Sequence, residues 1–215
     1  MPAEPAASSL AVHEWNFKAA AAVVATAGRM EVLVRRAVGQ QLAELGRARG
    51  SENWPSSLPL DAHELRTIRW AQRHVGGYRD VTESTMLVVE HVPLGFWLHL
   101  VSRRYHTRLW IPGLAKAFPQ IPGSASTRRE AIHLALSRAV HFRNLAAHLH
   151  PLHDFNADAV LQPFSAVAAA IQPEAAVWLT ESSCIARVWR SRPTQQAEGI
   201  PRQSGEPERV AESGG

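Results

Sequence analysis

Residues 128–148 read RREAIHLALSRAVHFRNLAAH, the most regular helical stretch in the chain. Advancing about 100° per residue places Ile132, Ala135, Leu136, Ala139, Val140, Ala146 and Ala147 on one face. Arg143 falls near the middle of that apolar stripe. His141, Asn144 and His148 share the opposite, polar side. A guanidinium set among apolar neighbours needs a partner, because an unpaired buried charge costs several kcal/mol. Arg143 therefore either pairs with an internal acid such as Glu31 or lines a groove awaiting an anion. Pro151 disfavours helical geometry at His150, so the helix should loosen near Leu149 and let His148 turn toward Arg143. At the other end of the stretch, Arg128-Arg129-Glu130 reads as a solvated face.

Outward from this helix the periodicity stays helical. Residues 11–27 and 30–49 read as two helices parted near Gly28, the second with Met30, Val34, Ala37, Val38, Leu42 and Leu45 at three- and four-residue steps. Gly50 to Pro59 is a loop. Asp61 is placed to cap a helix running to about Val75, with Gly76-Gly77 ending it. Between Thr82 and Phe118 the aromatics and turn residues predict short helices packed at angles. Helices near 156–171 and 174–190 follow, with Pro173 at a first-turn position. The expectation is an all-α domain over residues 11–192, a disordered stretch over 1–10 and a disordered, Pro-, Gly-, Gln- and Ser-rich tail over 193–215.

Composition bounds the function. With 215 residues, 46% of them hydrophobic, and a net charge of +4, the chain can bury a full core and is not a disordered polymer. Of its 23 basic residues only Lys18 and Lys116 are lysine, which leaves 21 arginines. Arginine suits bidentate pairing with phosphate, although genome base composition gives the same bias. Cys184 is the only cysteine, which excludes an internal disulfide and a four-cysteine zinc site. Met1 to Leu10 lacks the positive segment of a signal peptide, and no apolar window is long enough to span a bilayer. The sequence reads as cytoplasmic, with no membrane partner.

The string Arg143-Asn144-Leu145-Ala146-Ala147-His148-Leu149-His150-Pro151 resembles the Arg-Asn-x-x-Ala-His-x-x-Pro signature of the Abi-like (abortive infection) branch of the HEPN superfamily. His13-Glu14-Trp15-Asn16 with Met30-Glu31-Val32-Leu33-Val34-Arg35 is similar to that family's opening helices. Leu94-Gly95-Phe96-Trp97, Tyr105, Leu109-Trp110-Ile111-Pro112 and Ala117-Phe118-Pro119 are similar to its middle. The likeness covers roughly residues 10–193 in the same order.

The resemblance implies a HEPN-like helical bundle with additional helices, and a metal-independent endoribonuclease that cuts transfer or messenger RNA as a toxin or phage-defence effector. It also implies a homodimer lining one cleft with two motifs, a possible cognate antitoxin, and no cofactor or metal. Arg143, Asn144 and His148 would be the catalytic residues. The residue types suit that chemistry: His148 can exchange a proton near neutrality, Arg143 can hold a phosphate and its developing charge, and Asn144 can orient either. Relatives commonly carry arginine where Leu145 stands, histidine at Leu149, an acid at His150 and asparagine at Arg36. These departures leave a second reading open, a non-catalytic HEPN module that binds RNA, a nucleotide or a partner protein.

Other candidates are weaker. Arg35, His141 and His150 would be secondary substrate contacts. Arg66, Arg69 and Arg73, with His74, Arg79, Trp70 and Tyr78 interleaved, form a basic, aromatic segment that could track an RNA backbone; Trp70 could equally be core with a solvated arginine flank. Arg103, Arg104, His106 and Arg108 form another. His141, His148, His150 and His153 with Asp154 match no metal-ligand spacing. Cys184 reads as a small buried residue rather than a nucleophile.

Overall fold

The computed structural model describes residues 4–74 and 89–193, and all of its regular structure among those residues is helical. The all-α expectation holds. Residues 1–3, residues 75–88 with Gly76-Gly77, Tyr78 and Arg79, and all but Pro193 of the tail expected over 193–215 lie outside the described residues.

A single helix, α1 (Glu4–Arg47), replaces the two expected on either side of Gly28, and it begins ahead of residue 11. Trp15, Ala19, Val23, Ala27, Met30, Val34, Val38 and Leu42 are all buried, and their spacing keeps phase straight across Gly28. Gly28 itself is exposed, and a Cβ there would meet nothing within 4 Å. A glycine inside a helix costs only about 1 kcal/mol relative to alanine, too little to break a helix whose apolar face is buried on both sides of it. α1 stops where the chain folds back tightly. A Cβ at Gly46 would come within 2.8 Å of the Trp54 Cβ, so only glycine admits this approach. The expected 50–59 loop contains a short helix, α2 (Trp54–Ser57), whose Trp54 is buried.

α3 (Ala62–His74) starts directly after Asp61 as expected, but the Asp61 carboxylate goes elsewhere than a cap. It forms ion pairs with Arg104 and with Arg108, the latter at 3.2 Å. The middle of the chain matches the expected short, angled pieces: α4 (Leu94–Leu100), then a 3-10 turn at Arg103–Tyr105, a π turn at His106–Trp110 and another 3-10 turn at Leu114–Ala117. Their Phe96, Trp97, Tyr105, Leu109, Trp110 and Leu114 are buried.

α5 (Ala125–Ala147) is the central helix. It begins earlier than the sequence suggested, because the Ser124 hydroxyl accepts the Thr127 N–H at 3.2 Å and caps it. Its buried residues are Arg129, Ile132, Leu136, Ala139, Phe142 and Ala146. The arginines expected to be solvated at its start are structural. Arg128 donates to the carbonyls of Ala115 and Phe118 at 3.0 and 2.9 Å, and Arg129, only 5% exposed, donates to the Val101 carbonyl at 3.3 Å.

α6 (Ala157–Ile171) is capped by Asn156, whose Oδ1 accepts the Ala159 N–H at 2.7 Å. Pro173 opens α7 (Pro173–Ser182), as its first-turn position predicts. The expected 174–190 helix is interrupted, and α8 (Ile185–Arg190) is separate. The Ser183 Oγ lies 3.0 Å from the Thr26 hydroxyl and accepts the Ile185 N–H, so a tertiary contact sets the break. Cys184 beside it is half-buried against the core, with Arg187 donating to its sulfur. α1, α5 and α6 pack on one another, and α7 and α8 pack against α6 and α1. Among the described residues no helix is long and apolar enough to cross a membrane.

Candidate functional site

The C-terminal end of α5 carries the motif. The helix closes with Leu149 in the left-handed region at φ 56°, the one non-glycine residue with positive φ among those described. The Leu149 N–H donates to the Ala146 carbonyl at 3.0 Å and the His150 N–H reaches back to the Leu145 carbonyl at 2.9 Å. This is the Schellman closure, usually made with glycine at the position Leu149 holds.

A second element locks the same turn. The Asn16 side-chain amide on α1 donates to the carbonyls of Leu149 and His150 at 3.3 Å, and its Oδ1 accepts the Leu152 N–H at 2.9 Å. The segment expected to loosen before Pro151 is instead tied at both faces. Asn16 belongs to the opening block quoted above, but nothing in its sequence context assigns it this task. Below the turn Phe142 is buried and packs edge-on against Phe155, with centroids 5.2 Å apart. Phe142, not Arg143, fills the last apolar position before Ala146.

Arg143 is accordingly half-buried, its head reaching out past the apolar stripe. Its guanidinium donates to Asn144 Oδ1 at 3.2 Å. Among the described residues no carboxylate forms an ion pair with it. Glu31, the internal acid considered for that role, pairs with Arg35 at 3.2 Å, four residues along α1. Asn144, His141, His148 and His150 are all exposed. The imidazoles of His148 and His150 stand 6.3 Å apart, centroid to centroid. About 1.5 Å of rise per residue puts Arg143 and His148 about 7.5 Å apart along the axis, and about 100° per residue sets them about 140° apart around it.

The other sequence candidates lie elsewhere. Arg35 is engaged with Glu31. Arg66, Arg69 and Arg73 are exposed on α3. Arg66 lines a cavity of about 380 Å³ with His63, Thr67, Trp70, His91 and Pro93, none of them from the motif. Trp70 is 45% exposed and so is not a core residue. Arg104 and Arg108 hold Asp61, and the Arg108 guanidinium lies 5.2 Å from the centre of the Tyr105 ring. That basic segment is largely spent on internal contacts.

One group of metal-ligand type escaped the sequence reading. His63, Glu64 and His99 bring one ligand atom each to within 4.8 Å of one another. Burial pushes the Glu64 carboxyl up, but hydrogen bonds from Tyr105, from its own N–H and from His99 outweigh this and hold it below the usual range. Burial beside Glu64 pushes the Tyr105 hydroxyl well up. No sequence signal links His99 to a pair on α3 35 residues earlier.

No known family's sequence profile, no curated protein and no solved structure matches the chain.

Proposed function

We propose that the chain is an Abi-like HEPN protein acting as a metal-independent endoribonuclease, a toxin or phage-defence effector in the cytoplasm that cuts transfer or messenger RNA. The observation that carries this reading is Arg143, half-buried at the end of the central helix with no ion-paired carboxylate among the described residues, beside the exposed His148. Its guanidinium has a neighbouring side-chain amide as its partner, which leaves donors free for a phosphate.

In the proposed reaction His148 takes the proton of a ribose 2′-hydroxyl, and the 2′-oxygen attacks the adjacent phosphorus. Arg143 holds the non-bridging oxygens as charge builds on the phosphorane, with Asn144 keeping the guanidinium in place. The P–O5′ bond breaks and the leaving oxygen takes a proton from a second imidazole. The products are a 2′,3′-cyclic phosphate and a 5′-hydroxyl. The second imidazole comes from His150 of the same chain or from His148 of a second copy in a homodimer. Held inactive by a cognate antitoxin, such an enzyme needs no cofactor.

RNA cleavage in EDTA by the wild type and by His148→Ala tests the reading, with far-UV circular dichroism confirming that EDTA leaves the helices intact. Cleavage by the wild type alone is expected. Equal cleavage by both, or loss of wild-type cleavage in EDTA, overturns it. Tight, salt-dependent RNA binding without turnover, weakened by Arg143→Ala, would make the chain a non-catalytic HEPN module instead.

A further inference from the structure

The junction between α3 and α4 holds a side-chain cluster that the proposed ribonuclease does not use. His63 and Glu64 are consecutive on α3, and His99 lies in the last turn of α4. Glu64 is 2% exposed, whereas the His99 side chain is 54% exposed. Glu64 Oε1 lies 3.1 Å from His99 Nδ1, and the rings of His63 and His99 are 4.8 Å apart, centroid to centroid. The other carboxylate oxygen accepts the Tyr105 hydroxyl at 2.6 Å, and that hydroxyl in turn accepts the Asp61 N–H at 2.9 Å.

We propose that His63, Glu64 and His99 bind a divalent transition-metal ion of the zinc class. Two imidazoles and one carboxylate suit zinc, cobalt or nickel, while magnesium and calcium favour oxygen-only shells. Ligand atoms about 2.1 Å from a shared ion stand about 3.0 Å apart at a right angle and about 3.4 Å apart at a tetrahedral angle. The 3.1 Å between Glu64 and His99 falls inside that range. His63 is exposed, so a ring rotation brings its nitrogen in at little packing cost. Tyr105 acts as a positioning residue: it occupies one carboxylate oxygen, leaving Oε1 to face the imidazoles.

Three protein ligands leave coordination positions for water or an anion. The cavity that His63 shares with Arg66, Trp70 and His91 adjoins the cluster, and Arg66 gives it a positive wall. The site is separate from the end of α5, and metal uptake reads it out without any assay of RNA.

The test uses the untagged full chain, stripped with EDTA and dialysed free of it. Zinc chloride is titrated in by calorimetry, and cobalt(II) is followed by its visible d–d absorption. One equivalent should bind, with cobalt giving ligand-field bands. His63→Ala and His99→Ala should each weaken zinc at least about tenfold with helicity unchanged, and Tyr105→Phe should weaken it about tenfold while one equivalent still binds. Absence of saturable zinc uptake by the wild type overturns the proposal. So does wild-type affinity in the His63→Ala/His99→Ala double variant, or a loss confined to His150→Ala or His153→Ala.

Discussion

The two ends of α5 treat arginine in opposite ways. At the N-terminal end Arg128 and Arg129 are consumed by structure, donating to the Ala115, Phe118 and Val101 carbonyls of the irregular 101–118 segment. At the C-terminal end Arg143 keeps its head near the surface, its guanidinium held by a neighbouring amide. Sequence pattern alone suggests the reverse, since the Arg-Arg-Glu run reads as a solvated face and Arg143 as an intrusion into the apolar stripe. The difference lies in what surrounds each end. Irregular backbone leaves carbonyls with acceptor capacity that draws in guanidinium groups, whereas the carbonyls of the turn after Ala147 are taken by backbone N–H groups and by Asn16, which leaves Arg143 available.

The sharpest way to break this comparison is to remove the histidine that serves as base in the proposed reaction. His148→Ala should lower RNA cleavage by about 10²- to 10⁴-fold, the usual contribution of a general acid or base, with thermal stability unchanged. Unaltered cleavage would mean that the exposed end of α5 is merely surface. Arg143→Ala comes next, with an expected loss of about 10²- to 10³-fold in kcat if it carries phosphorane charge. Its unfolding free energy should stay within about 0.5 kcal/mol of wild type, as for a surface residue. A large destabilisation would show that Arg143 belongs with Arg129.

Arg129→Met reverses that signature. It removes a buried donor from the Val101 carbonyl and should cost about 1–3 kcal/mol of stability, while the folded fraction cleaves RNA at the wild-type rate. Chemical denaturation with cleavage normalised to folded protein separates the two arginines.

Much of the fold is legible in the sequence: apolar spacing reports the buried residues of α1 directly, aromatics among turn residues mark the short pieces between residues 94 and 118, and proline's missing N–H places Pro173 at the start of α7. Where the reading failed, a long-range contact decided. Gly28 was outweighed by packing on both sides, and Ser183 breaks the last helix through Thr26, which is remote in sequence. The motif could be read because Arg143, Asn144 and His148 lie within two turns of one helix. Asn16 and the cluster of His63, Glu64 and His99 could not, since each becomes meaningful only when distant elements meet.

The smallest expected effect tests the turn that separates the two ends. Leu149 adopts φ 56°, which costs an L-residue roughly 1–2 kcal/mol, and it is half exposed, so little burial offsets that cost. Leu149→Gly removes the strain but adds unfolded-state freedom worth about 0.5–1 kcal/mol, so a net gain of less than about 1 kcal/mol is expected. A β-branched residue tolerates this conformation least. Leu149→Val should therefore lose stability and also lower cleavage, because the bonds that fix His150 to Leu145 and Asn16 would open. If Leu149→Val cleaves normally despite weakened folding, the rigid turn is not what presents His148. The contrast between the ends of α5 would then rest on Arg143 alone.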